Sequence, residues 1–173
     1  PGGIMARARP GSGNFAAVVT GKSAHAGRNP EDGRNAIVAA SDLAQRLHAA
    51  RRDGLTVNPA KIDGGAPNNT VPDMAVLHFN MRPRGPEDLA AGQTIIDDAV
   101  AKVAATHDVA IHIHGSFARP PKPVGEPTER LFALVSRAAA DLGDTMSWKD
   151  TGGVCDGNNI AACGVPVIDT MGA

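Results

Sequence analysis

The sequence predicts an α/β fold of the α+β kind. A ferredoxin-like β-α-β-β-α-β unit forms around a four-stranded antiparallel sheet, and a smaller C-terminal β-α-β piece of different character follows it. Three observations predict this. Apolar and polar residues alternate in four short runs, which is the period of a half-buried strand. They recur every three or four residues in two longer runs, the period of a helix with one buried face. The texture then changes at Arg119-Pro120-Pro121-Lys122-Pro123, a stiff, extended run that reads as a linker.

The elements follow in order. Residues 1–13 are rich in Pro and Gly and read as a hinge rather than core. Asn14 to Lys22 sets Phe15, Ala17 and Val19 on one side of a first strand. A polar loop, 28–33, leads into a helix running to about Arg51, with Ala36, Ile37, Ala40, Leu43, Ala44 and Leu47 on one face; Asp53-Gly54 stops it. Leu55 to Ile62 is a short strand, and residues 63–69 are dense in turn chemistry. Met74 to Arg82 is the clearest strand: Ala75, Leu77, Phe79 and Met81 face one way, Val76, His78, Asn80 and Arg82 the other. Pro86 suits the first turn of a second helix, which presents Leu89, Ile96, Ala99, Val100 and Val103. Val109, Ile111 and Ile113 alternate in a fourth strand. Two helices can then cover one sheet face and leave the other freer. Beyond the linker, Thr128 reads as the cap of a helix reaching about Leu142, with Leu131, Leu134, Val135 and Ala138 inward. A loop at 150–153, a short helix from near Val154 and a buried strand over 165–168 complete the chain.

Bulk properties exclude several functions. With 42% hydrophobic residues in 173, the chain has enough apolar surface for a real core. Its 17 basic and 18 acidic residues are dispersed, giving a net charge of −1, so no basic block points to nucleic acid. A ferredoxin-like RNA-binding domain is disfavoured by four Phe, one Trp, no Tyr and no basic-aromatic motif. No apolar stretch is long enough to cross a bilayer, and the first residues do not form a signal peptide. Cys155 and Cys163 read as free thiols, which fits the cytoplasm. Neither end of the chain reads as a natural terminus.

The residues that can carry chemistry occur as a series. Gly21-Lys22-Ser23-Ala24-His25-Ala26-Gly27 puts a histidine among small neighbours at a strand end, where the ring is reachable and can donate to developing negative charge. Pro30-Glu31-Asp32-Gly33-Arg34-Asn35-Ala36 follows. Gly64-Gly65 then precedes Asn69-Thr70-Val71-Pro72-Asp73, and Arg82 closes the next strand. Last come Thr151-Gly152-Gly153-Val154-Cys155-Asp156-Gly157 and Gly164-Val165-Pro166. Each motif is weak alone; their order and spacing over nearly the whole chain resemble the zinc metallopeptidase family that includes glutamate carboxypeptidase, acetylornithine deacetylase and succinyl-diaminopimelate desuccinylase.

The resemblance implies a division into a hinge at 1–12, a dimerisation (lid) domain at 13–118 and a partial catalytic-domain segment at 119–173. It implies a homodimer and a small substrate, a peptide or an N-acyl amino acid, whose amide bond is hydrolysed. It makes His25 the lid histidine that reaches the partner subunit's site and polarises the scissile carbonyl. Asn69, Arg82 and Arg119 become substrate contacts, the arginines by their fit to a carboxylate. Gly152 and Gly153 become a loop along which substrate approaches the backbone. Cys155 departs from the family's usual Ser or Thr, whereas Asp156 is kept. The family uses two zinc ions, which cobalt can replace, but this sequence has no His-x-Asp and no Glu-Glu pair, so no metal ligand is assigned to it; the last histidine ligand would follow Gly172-Ala173. Glu31, Glu87, Glu126 and Glu129 read as solvated charges, and His112 and His114 as the solvent face of a strand without a third ligand. The alternative is a stand-alone dimerisation module without catalysis; the Gly152-Gly153 loop and Gly164-Val165-Pro166 favour the hydrolase.

Overall fold

The computed structural model describes residues 3–171, so the expectations placed on Pro1-Gly2 and Gly172-Ala173 lie outside the described residues. The chain runs through Gly3–Ala6 (β1), Ser12–Thr20 (β2), Ala24–His25 (β3), Ala36–Ala49 (α1), Leu55–Gly64 (β4), Thr70–Val71 (β5) and Met74–Pro83 (β6). It continues through Pro86–His107 (α2), Ala110–Arg119 (β7), Glu126–Asp141 (α3), Met146–Lys149 (β8) and Asp156–Ala162 (α4). The large sheet is ordered β4-β6-β2-β7, and each neighbouring pair is antiparallel. This is the strand order of the ferredoxin-like unit expected from the β-α-β-β-α-β pattern.

Strand alternation decides which face is covered. Phe15, Ala17 and Val19 of β2 and Ala75, Leu77, Phe79 and Met81 of β6 all point into one layer and are buried. α1 adds Ala36, Ala39, Ala40, Leu43 and Leu47 to that layer, and α2 adds Ile96, Ala99 and Val103. Burying each of the larger aliphatic side chains stabilises the fold by about 1.5–3 kcal/mol. Phe15 stacks on Phe79 and meets Phe117 edge-on, with ring centroids 5.0 and 5.2 Å apart.

The helix ends are held by local chemistry. The Asn35 side-chain oxygen accepts from the N–H groups of Ile37 and Val38 and starts α1. Asp88 accepts from Gly85 N–H at the start of α2 and also meets Arg52 at 2.8 Å. α2 ends at Asp108, which takes up a left-handed conformation at φ 52°.

Both edge strands are irregular. β4 carries an extra residue between Pro59 and Lys61, and β7 shifts register opposite Ser12 and Asn14. Gly115 has φ 100°, and a Cβ there would run into the Asn14 carbonyl. Gly115→Ala is therefore expected to cost about 1–3 kcal/mol from the φ strain alone. Urea unfolding should show the loss as a lower midpoint at unchanged slope; an unmoved midpoint would contradict this account of the strand.

The structure differs from the sequence reading in three places. The segment read as a hinge contains β1, whose Met5 and Ala6 are buried, and it pairs in parallel with β8. The strand of the C-terminal piece is therefore β8, while 165–168 is not a strand and Val165 is exposed. β1 and β8 are short and lie some 140 residues apart, so neither has a local turn signal to mark it. In α3 the cap is Gly125 rather than Thr128, because Pro127 already fits the first turn. Its buried residue is Phe132, stacked on Trp148 at 4.0 Å, whereas Leu134 is 54% exposed and Ala138 is also exposed.

Candidate functional site

The residues singled out in the sequence gather at two ends of the large sheet. At the Thr20 end, β3 pairs with β5, setting His25 opposite Thr70, and Ala26 N–H donates to the Asn69 carbonyl at 2.9 Å. His25 and Asn69 are thus neighbours, and both are exposed. Gly27 N–H donates to His25 Nδ1 at 3.1 Å. A nitrogen that accepts cannot carry the proton of a neutral ring, so Nε2 is left as the donor.

At the other end, Arg82 extends from the open face of β6 beside Asn80. Its Nε donates to Asn80 Oδ1 at 3.0 Å and its Nη1 to the Gly152 carbonyl at 2.6 Å. Gly153 offers its carbonyl to Arg9 Nη1 at 2.9 Å, and Arg119 Nη1 donates to Asp156 Oδ1 at 2.8 Å. Arg82, Gly152 and Gly153 are brought together; Arg119 lies nearby but is tied to the start of α4. A cleft of about 490 Å³ opens here, lined by Arg82, Arg84, Arg52, Thr56, Thr151 and Gly152 among others. Arg52 and Arg84 are paired with Asp88 and Asp53. Arg82 has no carboxylate partner among the described residues, which leaves it the arginine best placed to receive an anion.

The two groups do not meet within one chain. Thr20 pairs with Met74 and Gly13 with Met81, so His25 lies beyond the Met74 end of β6 and Arg82 at its other end. Ten residues of strand span about 30 Å at roughly 3.3 Å per residue.

Sequence reasoning missed a charged cluster under the loop. Asp169 accepts from Arg9 Nε at 2.9 Å and Nη2 at 2.7 Å, from Lys122 Nζ at 2.7 Å and from Cys155 Sγ at 3.3 Å. Lys122, read as part of a linker, is 1% exposed. Burial pushes the Asp169 carboxyl up, but the hydrogen bonds from Arg9, Lys122 and Cys155 and the charge of Lys122 outweigh it and hold the group far below the usual carboxylate range. Asn158 is fully buried; its side-chain amide donates to the carbonyls of Pro10 and Pro120, and its oxygen accepts from Cys155 N–H. The only local signal in the sequence was a pair of basic residues set among prolines, and their partners lie far along the chain.

The acids nearest the loop are all engaged by cations: Asp150 by Arg7, Asp156 by Arg119, and Asp169 by Arg9 and Lys122. Among the described residues no three His, Cys, Asp or Glu side chains cluster as metal ligands. A metal centre of the kind the resemblance implies would need ligands that these residues do not provide. His112 and His114 lie on the exposed face of β7, opposite Val18 and Ala16. Both cysteines are free thiols. No helix is long and apolar enough to cross a membrane among the described residues.

The fold recurs in known proteins. Carboxypeptidase G2 of a Pseudomonas species is 32% identical over 158 residues, covering 89% of this chain and 38% of the relative. A p-aminobenzoyl-glutamate hydrolase chain of Escherichia coli is 40% identical over 81 residues, 42% of this chain and 19% of the relative. The crystal structure of aminopeptidase PepT from Bacillus cereus superposes with a TM-score of 0.85 at 25% identity, over 96% of this chain and 44% of that one. The chain thus spans less than half the length of these relatives. Residues 7–108 match the family described as the peptidase dimerisation domain, and with that match covering more than half its length the chain belongs to this peptidase family.

Proposed function

We propose that this chain supplies the dimerisation surface, the substrate-carboxylate contacts and an oxyanion-stabilising histidine of a zinc-dependent hydrolase that cleaves an amide bond in a peptide or N-acyl amino acid. The observation that carries the reading is the separation of His25 and Asn69 from Arg82, Gly152 and Gly153 by the full length of the sheet. A single chain cannot close these two groups on one small substrate. A two-fold pair of chains can, with His25 of one protomer completing the site of the other. The names of the relatives support the reaction class, since p-aminobenzoyl-glutamate is itself an amide of glutamate. The two zinc ions, with cobalt able to stand in, belong to the whole enzyme, and the free thiols suit a cytoplasmic one.

In this reading Arg82 takes the substrate carboxylate through its guanidinium, with Asn80 fixing the Nε side. Arg119 and Asn69 add further contacts. The Gly152-Gly153 loop lets the substrate lie along bare backbone, since a Cβ on Gly152 would meet nothing within 4 Å. His25 donates from Nε2 to the carbonyl oxygen as it gains negative charge.

The reading requires a homodimer formed through residues of roughly 12–118. Sedimentation at micromolar concentration is expected to return twice the 17.7 kDa chain mass. A monomer across that range would sink the proposal. A stand-alone dimerisation module would also be dimeric, but it would gain nothing from the Arg82 contact to the Gly152 carbonyl; a dimer that binds no N-acyl amino acid through Arg82 would favour that alternative.

A further inference from the structure

The segment leading into β2 and the segment leaving β7 cross side by side: Arg9 and Lys122 exchange both backbone hydrogen bonds, at 3.1 and 2.9 Å. This crossing joins the large sheet to α3, β8 and α4. Asn158, from α4, grips both strands of it at once through the Pro10 and Pro120 carbonyls. Proline has no N–H, so these two carbonyls have no reciprocal ladder partner at their own residues, and a buried side chain with two donors is the group that can satisfy both.

Arg9 leaves this crossing with each of its three guanidinium nitrogens donating a hydrogen bond. Two go to Asp169 and the third to the Gly153 carbonyl. The neighbouring carbonyl, of Gly152, is taken by Arg82 from the large sheet. Two successive carbonyls of one loop are therefore held by arginines rooted in different parts of the molecule, one in the crossing and one in the sheet. Neither glycine has a left-handed φ, and a Cβ on Gly153 would approach nothing closer than 3.8 Å. Local packing does not demand glycine at either position, so the two arginine contacts rather than surrounding side chains hold the loop.

We propose that Arg9 and Asn158 are positioning residues: together they pin the Gly153 half of the loop to the chain crossing while Arg82 ties the Gly152 half to the sheet, so that the course of the loop is set by these anchors. The proposal rests on the reading of this loop as the place where substrate lies along the backbone. Arg9→Lys keeps the charge opposite Asp169, but a single ammonium cannot span both the carboxylate and the Gly153 carbonyl.

Hydrogen exchange on the 173-residue chain tests the clamp without any activity. In Arg9→Lys the amides of residues 151–155 should exchange about tenfold faster, the factor expected for loss of one charged hydrogen bond. Those of β6 and α1 should be unchanged. Asn158→Ser, which keeps a side-chain oxygen but replaces the two amide donors to the prolines with a single donor on a shorter side chain, should loosen the same residues and serves as the second variant should Arg9→Lys fold poorly. Unchanged exchange in the loop would overturn the proposal, as would an equal rise in loop and sheet, which would mean that the two residues merely hold the fold. In the whole hydrolase, Arg9→Lys should raise KM and leave kcat within about twofold. A loosened loop with unchanged KM would keep the clamp and count against the substrate role of the loop, so the two readings fail separately.

Discussion

Replacing Asp169 by Asn is expected to destabilise the chain by about 3–5 kcal/mol near neutral pH, the cost of removing one partner from a buried ion pair. The local geometry favours the upper part of that range. One carboxylate receives two hydrogen bonds from Arg9 and one each from Lys122 and Cys155. An amide keeps one oxygen but puts an NH₂ group where the other stood, so donor faces donor. The guanidinium of Arg9 and the ammonium of Lys122, with side chains 8% and 1% exposed, then lack a counter-charge. Total stabilities are only about 5–15 kcal/mol, so a loss of this size is a large fraction of the whole.

The pH dependence gives the same prediction an independent sign. The folded-state pKa of Asp169 is depressed below its ordinary value of 3.8. Such a group contributes its stabilisation fully above the unfolded pKa and loses it as pH falls below about 4 toward the folded value. The native chain should therefore lose stability steeply on acidification below about pH 4. Asp169→Asn should lack that part of the slope, so the gap between the two proteins narrows at pH 3. Urea midpoints at pH 7 and pH 3 measure both quantities. Equal midpoints at pH 7 would show that the cluster is dispensable, and a constant gap at the two pH values would remove Asp169 as its titrating member.

Why this cluster escaped the sequence, when the sheet did not, is a matter of where the partners lie. The alternation in Met74–Pro83 and the three-and-four spacing in Ala36–Leu47 report burial of a face, and burial of a face leaves its period in adjacent residues. The β-α-β-β-α-β order then selects one sheet topology with few competitors. Arg9, Lys122, Asn158 and Asp169 have no such period. Each finds its partner 38 to 160 residues away, and in sequence each is one polar residue near proline or glycine. The same reason hid β1 and β8, which pair in parallel across almost the whole chain. For the candidate site, motif order singles out His25, Asn69, Arg82 and the two glycines. That they fall at opposite ends of a sheet followed only from the register of β2 against β6.

That separation makes His25 the residue with the largest expected effect on turnover. An amide oxygen gains negative charge as the carbonyl carbon is attacked, and a donor aimed at it stabilises the transition state more than the ground state. Removal of one such donor costs about 10²–10³ in rate, or roughly 3–4 kcal/mol. His25→Ala in the whole hydrolase should therefore lower kcat by that factor with little change in KM. Stability should stay within about 0.5 kcal/mol, because the ring is exposed on a two-residue strand. Gly27→Pro, which removes the N–H that fixes the Nδ1 acceptor, should give a smaller loss of the same kind. Mixed dimers decide which protomer the histidine serves. Consider one protomer carrying His25→Ala paired with another carrying Arg82→Ala. A histidine acting across the interface then leaves one site with both residues intact and the other with neither, so about half the native activity returns in each mixed dimer. If His25 instead served its own protomer, each site would lack one residue and the mixture would stay as weak as its parents. Recovery of activity on mixing two crippled proteins is an outcome that no arrangement within a single protomer predicts.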